Sequence, residues 1–169
     1  MQGSRFEKMI GWLALAGLLL SLAVHVSALL RVGPTADLAA YIPLHLGIFV
    51  VFLPVVLSAR KRFDGHARLR DLRAMFPDWV VVLFALTLVY AVVNFFLFML
   101  ATGGGSPSMT AGGQYVLNDH GRVVREISAQ EYAGFRANEV RGFSGHWIYF
   151  YFVAFAYFML RKRDAQARP

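Results

Sequence analysis

Four stretches of the chain are apolar almost without a break, and their lengths predict its architecture. The first covers about 10–30, interrupted only by Ser21, His25 and Ser27 and closed by Arg31. The others cover about 41–59, 79–101 and 146–160. A helix rising about 1.5 Å per residue needs about twenty apolar residues to cross a hydrocarbon core about 30 Å thick. The first three runs meet that length, and the short fourth one requires tilt or local thinning of the bilayer. In the second run, Pro43 falls in the first turn, where a missing N–H costs little. Pro54 falls in the middle and predicts a kink, whose freed backbone groups a neighbouring helix must satisfy. Arg5 and Lys8 ahead of the first run, with Val26-Ser27-Ala28 late in it, have the outline of a signal peptide. The apolar residues Leu29 and Leu30 carry the run past that site, so it is read as a span.

The segments between the runs have patterns of their own. In the connector 60–77, Leu69, Leu72 and Phe76 recur at helical spacing among Arg68, Arg70 and Arg73, which predicts a short basic amphipathic helix on the membrane surface. The loop 102–145 opens with Thr102-Gly103-Gly104-Gly105-Ser106-Pro107, a composition that reads as a flexible exit. Strand-like stretches at 114–117 and 122–127 flank the turn residues Asn118-Asp119-His120-Gly121, so a β-hairpin is expected. Ser128-Ala129-Gln130-Glu131 fits a capping box and predicts a helix to about Val140, ending near Gly142. A lone hairpin is marginal by itself, so this subdomain is expected to fold over the outer ends of the spans as a lid. The fold class that follows is an all-α integral membrane protein, a four-transmembrane-helix bundle with a small extracytoplasmic hairpin-plus-helix lid.

Composition agrees: 57% of the 169 residues are hydrophobic and 16% are charged, against about 25% charged in ordinary soluble domains. The formal net charge of +7 brings nucleic acid to mind until the cations are located. Arg5 and Lys8 precede the first span, Arg60, Lys61, Arg62, Arg68, Arg70 and Arg73 lie between the second and third, and Arg161, Lys162, Arg163 and Arg168 follow the fourth. Lys and Arg accumulate on the cytoplasmic side during insertion, so both termini are predicted to be cytoplasmic, in the inner (plasma) membrane. The partner of these cations is then the anionic cytoplasmic leaflet and not nucleic acid. The other side holds Arg31 in a short connection, and Arg122, Arg125, Arg136 and Arg141 in the long loop, where they are balanced by Asp119, Glu126, Glu131 and Glu139.

The absence of cysteine excludes disulfides, thiolate metal sites, covalent c-type haem and cysteine nucleophiles. No phosphate loop, nucleophile elbow or metalloprotease motif is present, and Ser144-Gly145-His146 has no acid placed to complete a triad. The spans carry no Asp or Glu of the kind that proton relays use, and no internal repeat of the transporter kind is found. What remains is one polar side chain per span at roughly 6–12 Å below the outer boundary: His25, His45, Asn94 and His146. Gly17, Ser21 and His25 form a small-residue stripe that should face the bundle. Thr87, Tyr90 and Asn94 share a face, Tyr149 stands about one turn after His146, and Tyr41 about one turn before His45.

Three readings compete for this cluster. The imidazoles can be polar glue between helices. They can hold a cofactor, with two histidines ligating a b-type haem, or with His25, His45 and His146 binding a transition metal. Or His25, His45, His146, Asn94 and Tyr149 can contact an amphipathic ligand such as a quinone headgroup. The rings that surround the fourth run, from Trp147 to Phe158, suit a helix wedged against another membrane protein or a second copy. The residues thus point to a non-catalytic binding or accessory component of a membrane assembly, with a redox protein as the alternative. No reaction follows from them.

Overall fold

The structure is a computed structural model that describes residues 5–32, 38–63 and 69–162. Helix α1 covers Arg5–Leu30, α2 Ile42–Phe63 after a single 3₁₀ turn at Leu38–Tyr41, α3 Leu69–Met75 and α4 Asp78–Leu100. Strands β1 Ser106–Met109, β2 Tyr115–Asp119 and β3 Arg122–Glu126 follow, and α5 Ala129–Met159 closes the described chain. Three helices are long and apolar enough to cross a membrane: α1, the Ile42–Arg62 part of α2, and α4. Arg68, Arg163 and Arg168 lie outside the described residues.

The helices do not form a ring of four equals. Helix α5 stands in the centre with α1, α2 and α4 packed on it; α1 and α2 also touch, whereas the α4 backbone approaches neither. Twelve residues of α5 are buried, from Ala137 to Tyr157, against Val80, Ala91 and Asn94 on α4. A helix screened on most sides by its own neighbours has no need to be uniformly apolar, which is how Asn138, Arg141 and Ser144 are tolerated on it. The lid helix and the fourth apolar run, expected as separate pieces meeting near Gly142, are one continuous helix. Gly142 and Gly145 do not end it. They lie against Phe98 and Asn94 of α4, where a Cβ would collide.

Small residues set the approach of α1 in the same way. Gly11 faces Met159 and Gly17 faces the ring of Tyr151, whose hydroxyl donates to the carbonyl of Leu44 at 2.7 Å beside Gly47. Tyr151 is therefore wedged between α1 and α2, in contact range of glycine on both. The glycines let the ring approach both helices in close van der Waals contact. Ser21 is fully buried on the same stripe, and its hydroxyl has no partner among the described residues. Residues 64–68 of the expected amphipathic connector lie outside the described residues; in the described part α3 buries Met75, Phe76 follows it into the core, and Leu69 stays exposed. Lys162 closes this end, its backbone N–H donating to Met75 and its Nζ to the carbonyl of Arg73.

Between α4 and α5 lies a three-stranded antiparallel sheet in the order β1-β2-β3, one strand more than the expected hairpin. The hairpin turn is as the residues suggest, with His120 and Gly121 both at positive φ (50° and 88°), the combination a two-residue type I′ turn requires. The segment read as a flexible exit instead turns at Gly103 and Gly104 and enters β1, where Pro107 pairs with Leu117. Proline donates no ladder hydrogen bond, so an edge strand is where it fits. The capping box forms: the Ser128 hydroxyl accepts from the Glu131 N–H at 3.2 Å, and the Ser128 N–H donates to the Glu131 carboxylate at 2.9 Å.

Gly17→Val should cost about 1–3 kcal/mol, because Tyr151 cannot retreat without losing Leu44. Ser21→Ala should be neutral or stabilising, since it removes an unpaired buried hydroxyl. Reversible unfolding in mixed detergent micelles measures both.

Candidate functional site

The polar residues of the helices are drawn into two separate groups. In the first, His25 of α1 reaches the Ser144 hydroxyl of α5 through Nδ1 at 2.8 Å and the Tyr90 hydroxyl of α4 through Nε2. Ser144 also lies 2.6 Å from the carbonyl of Val140, an acceptor only, so its proton goes there and it accepts from His25 Nδ1–H. His25 Nε2 then accepts from Tyr90. One turn outward, Asn94 donates to the carbonyl of Arg141 at 2.9 Å and accepts from the Arg141 guanidinium at 2.8 Å. A second guanidinium N–H reaches Asn138, which donates in turn to the carbonyl of Phe98. The network ties α1 and α4 to the central helix and to each other, although their backbones stay apart.

The second group lies between α2 and α5. The Trp147 indole donates to His45 Nδ1 at 2.9 Å, and the His45 and His146 rings meet edge to face with centroids 5.6 Å apart. Because Nδ1 accepts, neutral His45 carries its proton on Nε2 and presents a donor there, not the lone pair a metal needs. Below these rings a cavity of about 280 Å³ runs between the helices, walled by Ile48, Phe49, Phe52, Leu53, Val56 and Phe150.

Of the residues singled out from the sequence, the structure thus joins His45 with His146, and His25 with Tyr90 and, through Ser144 and Arg141, with Asn94. His25 bonds into the α4 side and His45 and His146 into the α2 side. Among the described residues no three His, Asp or Glu side chains are grouped to hold a metal ion. Tyr149 is half-buried with its ring against Phe150, Thr87 bonds back to its own helix, and His120 sits exposed at the hairpin tip beside Asp119. Three members of the network, Asn138, Arg141 and Ser144, were not anticipated. Their spacing of three places them on one helix face, a pattern visible only if the helix is carried through Gly142.

Two Arg–Glu ion pairs form in the segment 102–145. Arg125 meets Glu131 at 2.8 Å and Arg136 meets Glu139 at 2.9 Å. Hydrogen bonding by Arg125, with the Ser128 backbone N–H next, pulls the Glu131 carboxyl down from 4.5 to about 2. Burial holds the Glu139 carboxyl above its usual value, against the opposing pull of Arg136. Between the first turns of α5 and the ends of α1 and α4 lies an open cleft of about 410 Å³, lined by Arg31, Ala101, Gln130, Glu131, Phe135 and Asn138 among others. The lid therefore packs on α5 and leaves the α1 side open.

The chain matches no family model, no curated protein and no solved structure.

Two measurements follow. A double-mutant cycle of His25→Ala and Ser144→Ala should give a coupling of about 1 kcal/mol, the range of hydrogen bonds between membrane helices. Glu131 has a depressed folded pKa, so its contribution is complete above 4.5 and is lost as pH falls through that value toward about 2. Hydrogen exchange of the amides at the start of α5 should accordingly speed up between about pH 5 and about pH 2.5 beyond the intrinsic pH effect, and Glu131→Gln should abolish that difference.

Proposed function

We propose that this is a four-span inner-membrane protein with both termini in the cytoplasm, acting as a non-catalytic binding or accessory component of a membrane assembly. Three apolar helices and the sorting of Lys and Arg support the membrane reading. The fourth span in this reading is the inner part of α5, whose lower hydropathy is explained by the helices around it. The observation that carries the accessory reading is that both ring nitrogens of His25 and both ends of the Asn94 amide are consumed in bonds between helices. Side chains spent in this way are glue.

A partner helix, or a second copy, would meet α5 along the strip left between α2 and α4, where His146, Tyr149, Phe150 and Val153 are only half-buried. Arg60, Lys61, Arg62, Arg70 and Arg73 are the cations that would lie against the anionic cytoplasmic leaflet. The cavity beneath His45 and His146 favours one second reading, a redox protein that takes a quinone ring or, after the two rings part, a b-type haem. As it stands, His45 offers an N–H, which suits a quinone carbonyl better than an iron.

A reporter that fluoresces only in the cytoplasm should light up when fused at the C terminus and stay dark when inserted at Gly112, in the exposed β1–β2 turn; the opposite pattern would reverse the orientation. Protein purified in mild detergent should be colourless before and after dithionite and should travel with a larger membrane partner. A Soret band that sharpens on reduction would replace the accessory reading with the haem one, and an extractable stoichiometric quinone would replace it with the quinone one.

A further inference from the structure

We infer that the outer cleft between α1, α4 and the start of α5 binds an outer-leaflet phospholipid by its phosphate, an inference that rests on the membrane reading above. The cleft has an unbalanced charge. Among the described residues, the one carboxylate in the cleft wall, Glu131, is paired with Arg125, and Glu139 is paired with Arg136, whereas Arg31 on the rim has no carboxylate. Arg141 has none either. Its guanidinium is held by the neutral amides of Asn94 and Asn138, and Asn138 is itself part of the cleft wall. Arg31 is thus an exposed guanidinium on the cleft rim with no carboxylate partner among the described residues, Arg141 adds a second positive charge one turn behind the Asn138 wall, and a phosphate matches the planar donors of Arg31.

Position and shape specify a lipid. The Arg31 backbone is fixed at the end of α1 by the helix terminus itself: its N–H donates to the carbonyl of Ala28, the Val32 N–H to that of Ser27, and the Ser27 hydroxyl to that of Val32. The cleft lies level with the last turns of α1 and α4, where headgroups of the outer leaflet would stand. Leu30 and Leu100, at those ends, are among the most exposed apolar residues of the chain, Leu100 at 83%. Beneath the cleft the α1 and α4 backbones remain apart, and the gap between them is bridged deeper by Tyr90 and His25. From Ala101 to Tyr90 is a descent of about 16 Å along α4, room for the first part of an acyl chain. A phosphodiester at Arg31 with a chain descending over Leu100 toward the partly exposed Tyr90 ring would fit charge and polarity together. The apolar wall formed by Ala101, Gly134 and Phe135 suits the glycerol and first methylenes.

The test uses the full chain, extracted in mild detergent, incorporated into nanodiscs of phosphatidylethanolamine and phosphatidylglycerol, and released for native mass spectrometry. The wild-type protein should retain one phospholipid through collisional activation. Arg31→Gln should reduce retention roughly tenfold, the loss of one charge-assisted contact. Ala101→Trp, which fills the cleft from an exposed position without touching charge, should reduce it as much, and the cytoplasmic control Arg60→Gln should leave it unchanged. Equal retention in Arg31→Gln and wild type, with both folded by circular dichroism, would overturn the inference; so would loss in the Arg60→Gln control alone. Displacement by millimolar inorganic phosphate would assign the cleft to a free anion instead. Recovery of the chain in the soluble fraction without detergent would overturn the membrane reading itself, a result distinct from either.

Discussion

One helix has to be kept out of contact with its surroundings, and the rest of the molecule is arranged to do so. Helix α5 carries Asn138, Arg141, Ser144 and two glycines in its middle turns, groups that are costly to place against hydrocarbon without partners. The other helices supply both the screen and the partners. Helix α1 meets it across a stripe of glycine, alanine and serine, α4 meets it at Gly142 and Gly145, and α2 receives the Tyr151 hydroxyl. Most of the exposed apolar surface is therefore contributed by α1, α2 and α4, the three described helices that are long and apolar enough to cross a membrane.

Much of this was legible in the sequence, and the failures have physical reasons. Run lengths gave the three apolar helices, the serine and glutamate three apart gave the capping box, and Asn118 to Gly121 gave the hairpin turn, because each depends on local chemistry alone. The small-residue stripe ending at His25 was legible for the same reason: a spacing of four fixes a face. What was misread depended on context. Gly142 resembles a helix stop until Phe98 is known to lie against it, and Gly103 to Pro107 resembles a linker until β2 is there to pair with.

The candidate site shows the same division. The sequence placed His25, His45, Asn94 and His146 at one depth, but depth on a helix says nothing about azimuth. The central position of α5 sends His25 and Asn94 to its α4 side and His45 to its α2 side, so a level that reads as one cluster becomes two. Arg141 was hidden by a different error, since counting it among balanced loop charges assumed a solvated loop. In the structure Arg125 takes Glu131 and Arg136 takes Glu139, and Arg141 has turned inward to amides.

The continuity of α5 has a mechanical consequence. At about 1.5 Å per residue its 31 residues make a rod of about 46 Å, unbroken by proline, with the sheet fastened at one end and the Lys162 clasp on Met75 and Arg73 at the other. The fulcrum is the belt of close contacts near Gly142, Gly145 and Tyr151. A rod so held couples the sheet at one end to α3, with Arg70 and Arg73, at the other, so that a displacement of one is carried to the other as by a lever.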